Sequence, residues 1–416
     1  MKVVVTEGGT ANNVGSMALI ENAIKIARHK NPNCSISVFC LDPKSVIQTL
    51  EKDGMFDRIA VYSDLFPIPR GGALRKTLWF IQCVSWILYS RFILLFCKKI
   101  SWAFGGRKKK NLQEVEQADY IYCIGAERIN DVYYKTALLS LYAIGTYVKM
   151  GKKLIHLSLT IGPVFNKTTI YLAKNILNKS YAIFVRDQKS FDILKNWHCR
   201  ASFQFSSYDI ALLQSLDVDK KQSLLQEFGI QKNFVGVSCI YWLFRKVNGP
   251  TRQDGYELAI AKCLDYIIEK YNFQIVFTPT VVGVGSYDDV AIGTHIFQKM
   301  EQKQGVVLID RILSPVEMAS LLSQCKFSIV TRMHAAILCS GAGNRPIIAI
   351  SYLYKLREYM RNILCEEYCV DIDYVNAEIL TDLIDKLIDN YQIECQKLLR
   401  RQVYLREKLI ESLVQI

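Results

Sequence analysis

The sequence has five histidines in 416 residues, and it lacks most of the compact signatures that announce a function. Zinc-finger spacing, an RNA-recognition signature and a long basic helix are absent, so the formal charge of +13 is no nucleic-acid footprint and no nucleic-acid partner is expected. The amino-terminal glycine-rich stretch "TEGGTANNVG" is neither the dinucleotide fingerprint nor a Walker loop. The thirteen cysteines are scattered singly through apolar stretches such as "SVFC", "IYCIG" and "GVSCI". The closest pair, Cys365 and Cys369, has no companion pair at zinc-like spacing, so buried, reduced thiols and no metal site are expected. Low-complexity tracts and solenoid-length repeats are not found. "MKVVVTEGG" enters a strand at once, so a cleavable signal peptide is not expected.

What is present suits a folded α/β protein. Hydrophobic residues make up 50% and charged residues 22%, and the length calls for more than one core. Short β-branched runs alternate with helix-length amphipathic segments: "KVVVT", "SISVFCL", "RIAVYS", "DYIYCIG", "KLIHLSL" and "YAIFVRD", then "FVGVSCI", "FQIVFTP", "GVVLID", "KFSIV" and "PIIAI". This alternation predicts two Rossmann-like domains built on largely parallel sheets. A polar stretch near 206–232 places the boundary, giving domains over 1–210 and 211–375. Residues 376–416 read as amphipathic helices that pack back across the domains.

One segment breaks the alternation. "TLWFIQCVSWILYSRFILLFC", Thr77 to Cys97, lies in a hydrophobic helical insertion over 74–110 and is about long enough to cross a bilayer. Arg91 interrupts it, and a charge near a bilayer centre costs about 2.5 to 3.5 kcal/mol. Arg70, Arg75 and Lys76 precede it; Lys98, Lys99 and the run Arg107 to Lys110 follow. A true span would split the first strand series across the membrane. The remaining readings are a helix lying on an anionic membrane surface and a buried or partner-binding helix.

Ligand groups in open α/β sheets gather at the carboxyl ends of strands, and polar motifs sit there repeatedly. "TEGGTANNVGSMAL" is a strand, a glycine-rich loop with Gly9, Asn13 and Gly15, and a helix start, an arrangement able to hold an anion. "CIGAERINDVYY" puts Gly125, Glu127, Arg128 and Asp131 after the next strand. "SLTIGPVFNK" turns at Gly162. In "VRDQKSFDIL" Arg186 ends a strand and needs an anion or carboxylate partner, for which Asp187 is at hand, although Asp187 is also placed to cap the following helix. "KFSIVTRMHAAILCSGAG" carries Arg332 and His334 at a strand end, and Tyr352 and Lys355 follow the next strand, so several polar groups are expected to converge.

Together, "GGTANNVGSMAL", "IGAERIND", "LSLTIGP", "FVRDQKS" and "TRMHAAILCSGAGNRPIIAISYLYK" resemble, in order and spacing, the polysaccharide pyruvyl transferase family. The resemblance implies a GT-B-like fold, two Rossmann-like domains with a central cleft, and transfer of the enolpyruvyl unit of phosphoenolpyruvate to a sugar as a pyruvate ketal. It makes Arg332 an anion-binding catalytic residue and His334 the general acid. Arg186 becomes a second anion clamp, and Lys355 matches the family's lysine after the following strand. The base is left open among Glu127, Asp131 and Asp209. Phosphoenolpyruvate is then the donor substrate, and no further cofactor is implied. Ser16 and "GAERIN" depart from the family pattern. With the insertion, the expected partners are a glycan or lipid-linked sugar acceptor and an anionic membrane surface, which places the protein peripherally on the cytoplasmic face of the cell membrane. A GT-B glycosyltransferase using a nucleotide sugar and a non-catalytic sugar-binding scaffold are the competing readings.

Overall fold

The structure is a computed structural model that describes every residue except 68, 70–71, 126–127, 207, 232, 243, 245–247, 284–287 and 416, and side chains other than those of 133 and 203–206. The chain forms two compact units. One comprises Met1–Thr10, Leu19–Ile210 and Leu409–Ile416; the other comprises Ala11–Ala18 and Ala211–Lys408.

The first unit is built on strands β1 (Lys2–Gly8), β2 (Ser35–Cys40), β3 (Ile59–Ser63), β4 (Tyr120–Cys123), β5 (Lys153–Leu159), β6 (Ala182–Val185) and β7 (Phe203–Ser206). All pair in parallel, in the order β3-β2-β1-β4-β5-β6-β7. The β-branched runs are buried on both faces, as a sheet covered by helices requires: Val3, Val4, Val5, Leu154 and Ile155 have no exposed surface. Helices α1 (Val14–Lys30), α2 (Pro43–Lys52), α3 (Ala73–Ile93), α4 (Gly106–Gln117), α5 (Tyr134–Lys149), α6 (Lys167–Leu177) and α7 (Gln188–Asn196) connect the strands. Caps explain where several begin. Asp42 accepts from the Ser45 amide ahead of Pro43, and Asp187 accepts from the Ser190 amide at 2.8 Å.

In the second unit α8 (Val218–Glu227) precedes β8 (Phe234–Ser238), α9 (Gly249–Tyr271), β9 (Gln274–Phe277), α10 (Asp289–Lys299), β10 (Val306–Leu308), α11 (Pro315–Leu322) and β11 (Phe327–Val330). There follow α12 (Met333–Ala336), which runs into a π-helical turn over Ile337–Ala342, β12 (Ile347–Ser351), α13 (Tyr354–Asn362), β13 (Cys369–Asp371), α14 (Ala377–Asp389) and α15 (Tyr391–Val414). The strand order is β10-β9-β8-β11-β12-β13, again parallel throughout. Both sheets therefore reverse direction at their first strand, between β1 and β4 and between β8 and β11, and ligands in open α/β sheets bind outside such switch points.

The insertion folds as α3 and α4. Cys83, Trp86, Ile87, Ser90 and Ile93 form the buried face of α3, and its apolar members join a core with Leu139, Ile144 and Tyr147 of α5. Arg91 is turned inward and donates to the Gly145 carbonyl at 3.1 Å. Its charge therefore leaves the outer face. Leu78, Phe80, Ile81, Val84, Leu88, Tyr89 and Phe92 stand exposed there, followed by Leu95 and Phe96. Among the described residues no helix is long and apolar enough to cross a membrane.

Candidate active site

In the second unit the glycine-rich loop and the arginine-x-histidine motif meet. The backbone of 12–14 is laced to the segment after β9: Val14 N donates to Thr280 O at 2.9 Å, Val282 N donates to Asn12 O at 3.0 Å, and Asn13 and Val281 form a β-bridge. Asn13 Oδ1 accepts from the Ser16 amide at 3.1 Å and so starts α1. Gly15, two residues on from Asn13, lies against the imidazole of His334. A β-carbon there would overlap Nδ1 and Cγ and sit 2.8 Å from Cε1, so glycine is required by close approach.

Arg332 leaves β11 in extended conformation immediately before α12. Its Nη2 donates to Asp289 Oδ1 at 2.6 Å, and the other carboxylate oxygen accepts from Thr280 N at 3.0 Å, Val281 N at 3.0 Å and Thr280 Oγ1 at 2.9 Å. The Asp289 side chain is 1% exposed and that of Arg332 15%. Burial pulls the guanidinium pKa down, but the Asp289 carboxylate outweighs it and holds Arg332 above its ordinary value. The cation is thus fixed in place and keeps a solvent-facing edge.

The floor beneath is neutral and buried. Tyr256 Oη bonds Thr331 Oγ1 at 2.9 Å and receives the Ile240 amide at 3.3 Å, and burial pushes its phenol up. Tyr352, just after β12, is half-buried, with its ring centroid 4.8 Å from that of Trp242. Lys355 Nζ lies 5.8 Å from the Tyr352 ring centroid, and α13, which carries Lys355, packs against α12, which carries His334. Asn13, Gly15, Arg332, His334, Tyr352 and Lys355 therefore all belong to this unit. Asp289, Thr280 and Trp242 complete the group, and no local motif in the sequence marks them.

The first unit holds Gly9, Gly125, Asp131, Gly162 and Arg186, and Glu127 lies outside the described residues. Gly9 O accepts from Leu41 N at 3.0 Å. Gly162 N donates to Ile129 O at 2.8 Å, and Asp131 N to Pro163 O at 2.9 Å. The Asp131 carboxylate is filled by Phe165 N at 2.7 Å, Asn166 N at 2.7 Å and Thr169 Oγ1 at 2.6 Å, so it braces the loop before α6.

The carboxylate that pairs with Arg186 is Asp209, at 2.6 Å, and not the neighbouring Asp187, whose oxygens cap α7. Arg186 and Asp209 side chains are 2% and 1% exposed, and Arg186 Nε also donates to Thr160 Oγ1 at 2.7 Å. The aspartate thereby neutralises a guanidinium that burial has removed from water. Among the described residues no group of His, Cys, Asp and Glu is arranged to hold a metal ion.

Two parallel sheets of Rossmann order, each with its polar residues at strand ends, define a GT-B-like protein. The fold is similar to that of a putative UDP-N-acetylglucosamine 2-epimerase from Listeria monocytogenes, with a TM-score of 0.59 at 14% identity, covering 95% of this chain and 90% of that one. A UDP-GlcNAc 2-epimerase from Neisseria meningitidis bound to UDP-GlcNAc gives 0.59 at 12% identity, covering 99% and 100%. A UDP-glucose: anthocyanidin 3-O-glucosyltransferase in complex with UDP gives 0.56 at 12% identity, covering 100% and 97%. At such identities the likeness establishes architecture alone. Residues 13–354 match the polysaccharide pyruvyl transferase family, and the chain belongs to it. The amylovoran biosynthesis protein AmsJ of Erwinia amylovora is 28% identical over 151 residues, a stretch that spans 36% of this chain and 36% of AmsJ.

Proposed function

We propose that the protein transfers the enolpyruvyl unit of phosphoenolpyruvate to two hydroxyls of one sugar in a surface-polysaccharide precursor. The observation that carries this reading is the meeting of two distant parts of the family match, the Asn13–Gly15 loop at its start and the Arg332–His334 motif, at the switch point of the second sheet. Phosphoenolpyruvate carries a phosphate and a carboxylate, and Arg332, fixed by Asp289, supplies an oriented cation for one of them. His334 gives a proton to the methylene carbon, C2 becomes electrophilic, and a sugar oxygen bonds to it. The C2–O bond to phosphate then breaks, and a second sugar oxygen closes the ketal. Of the two hydroxyl protons released, one replaces the proton given to carbon and the other leaves with phosphate.

The assay is incubation of the whole protein with phosphoenolpyruvate and a panel of glycans, following phosphate release and the mass of the ketal product. A parallel incubation uses labelled nucleotide sugars. Turnover with phosphoenolpyruvate alone as donor supports the assignment; turnover confined to the nucleotide sugars rejects it in favour of glycosyl transfer.

The outer face of α3 supports attachment to an anionic membrane, where a lipid-linked acceptor is presented. Exposed positions from Thr77 to Phe96 include no charged side chain, whereas Arg75 and Lys76 precede them and Lys98, Lys99 and Arg107 follow, all exposed. An apolar strip between cationic ends matches the interface of acidic lipid. The protein is expected to sediment with vesicles containing phosphatidylglycerol and less with purely phosphatidylcholine vesicles. Each buried apolar side chain contributes about 1.5–3 kcal/mol, so Leu88→Glu with Phe92→Glu should reduce vesicle binding at least about 100-fold. Unchanged partition of that variant would exclude α3 as the anchor.

A further inference from the structure

The first unit contains a cavity of about 210 Å³ that the chemistry above leaves unused. It lies at the carboxyl ends of β1, β2, β3 and β4, at the β1/β4 switch point of that sheet. Glu7 from β1, Asp64 just after β3, Arg128 after β4 and Ser140 of α5 bring polar groups into it, while Phe66 and Trp79 provide an aromatic wall. Trp79 belongs to α3, the helix whose opposite side is the exposed apolar strip.

The polar groups are held deliberately. Glu7 has a left-handed backbone, φ 66°, at an irregularity where β1 shifts register against β2, a conformation that costs a non-glycine residue on the order of 1 kcal/mol. Ser140 Oγ donates to Glu7 Oε1. Gly125 leaves room for both neighbours: a β-carbon there would overlap Arg128 Cγ and lie 2.7 Å from Glu7 Oε2. Burial pushes the Glu7 carboxyl up to about 7, against the pull of Arg128 and Ser140, and pushes Asp64 up to about 6, against Arg128 and Arg107.

Two carboxyl groups facing one lining guanidinium make a poor host for an anion once both are ionised. They make a good one for hydroxyl groups, since a carboxylate accepts several hydrogen bonds. An aromatic wall suits the apolar face of a ring whose edge is polar. The volume falls below the roughly 300–1,000 Å³ of drug-sized ligand sites, which limits the occupant to about one ring.

We propose that this cavity binds a neutral sugar ring, with Glu7 and Asp64 accepting hydrogens from its hydroxyls, Arg128 donating to a sugar oxygen and Trp79 covering the ring's apolar face. The inference rests on the pyruvyl-transfer reading in taking this sugar as part of the acceptor, but its test needs no donor. The whole protein is titrated at pH 8, without phosphoenolpyruvate, with methyl glycosides of the common neutral hexoses, with methyl glucuronide as the charged control. Phosphoenolpyruvate binding is measured separately.

Saturable binding of at least one neutral glycoside is expected, weakened at least about tenfold by Glu7→Gln with Asp64→Asn and by Trp79→Leu, with phosphoenolpyruvate binding retained. Affinity should rise between pH 5.5 and 8 as the carboxyls ionise. The charged or titratable groups around Glu7 are Arg128, Asp64, Cys123 and Tyr147, of which burial raises the last two well above this range. Unfolding does not mimic the loss. A carboxyl raised from its ordinary 4.5 to about 7 in the folded state favours folding while protonated and loses that advantage as pH climbs from 4.5 through 7. Glu7→Gln should therefore melt no lower than the parent at pH 8. Glycoside binding that survives both variants, or no binding by any neutral hexoside, overturns the proposal. Phosphoenolpyruvate inactivity with glycoside binding intact would instead refute pyruvyl transfer and leave the sugar site standing.

Discussion

Gly15→Ala is expected to lower phosphoenolpyruvate-dependent phosphate release by about 100-fold or more, close to the loss caused by His334→Ala. The added methyl would occupy space already taken by Nδ1 and Cγ of His334, so the imidazole must swing away or the first turn of α1 must retreat. Either shift approaches an ångström, and a displacement of that size at a proton-transferring group costs on the order of 10²-fold. Stability should respond far less. Overpacking costs about 1–3 kcal/mol, while alanine recovers up to about 1 kcal/mol of helix propensity over glycine in the interior of a helix. Turnover and a thermal melt on the same sample separate the two effects. A Gly15→Ala enzyme retaining more than a tenth of parental turnover would show that the imidazole does not act from the position it occupies against α1.

The architecture was legible where burial controls the residue pattern. All eleven β-branched runs named in the sequence are strands, and the helices of the carboxyl terminus are α14 and α15. β7 and β13 were missed because each is a short edge strand, "FQFS" and "CVD", with too few residues to display a period. The insertion was recognisable as anomalous, but its outcome turned on Arg91. A charge within an apolar run reads as an interruption in one dimension, whereas the helix rotates it onto the Gly145 carbonyl and clears the other face.

The site was legible in half. Strand-end position pointed to Gly15, Arg332 and His334, because a glycine-rich turn and a cation beside a histidine stand out locally. Their partners did not. Asp289 is 43 residues from Arg332 and sits beside Asp288, which has the usual reason for an aspartate at a helix start: it accepts from the Val290 amide. Two adjacent acids thus serve different ends, and only the fold distinguishes them. Arg186 illustrates the converse. Its need for an acidic partner was evident, yet Asp187 was nearer in sequence and Asp209 nearer in space. Glu7 was overlooked because it is embedded in a glycine loop signal, although a charged residue closing a buried strand was the available clue.

Asp289→Ala should be the most damaging substitution of a residue that touches no substrate. Its carboxylate neutralises Arg332 through one oxygen and through the other gathers the amides of Thr280 and Val281. That same 280–282 segment holds the 12–14 loop, which in turn seats Gly15 against His334. Removing one partner of a buried ion pair costs about 3–5 kcal/mol, and the loss should appear as a lower urea midpoint with unchanged slope. Turnover should fall by about 10³-fold in the fraction that remains folded, since cation and acid are displaced together. Asp289→Asn can keep its one acceptor oxygen on the loop amides only by turning its NH2 group towards the guanidinium, so it should recover stability more than turnover. A cycle with Arg332→Ala isolates the pair: once Arg332 is gone, Asp289→Ala should cost less turnover than it does in the parent. If the two losses simply add, Asp289 supports the fold without orienting Arg332, and the cation at the switch point owes its direction to other neighbours.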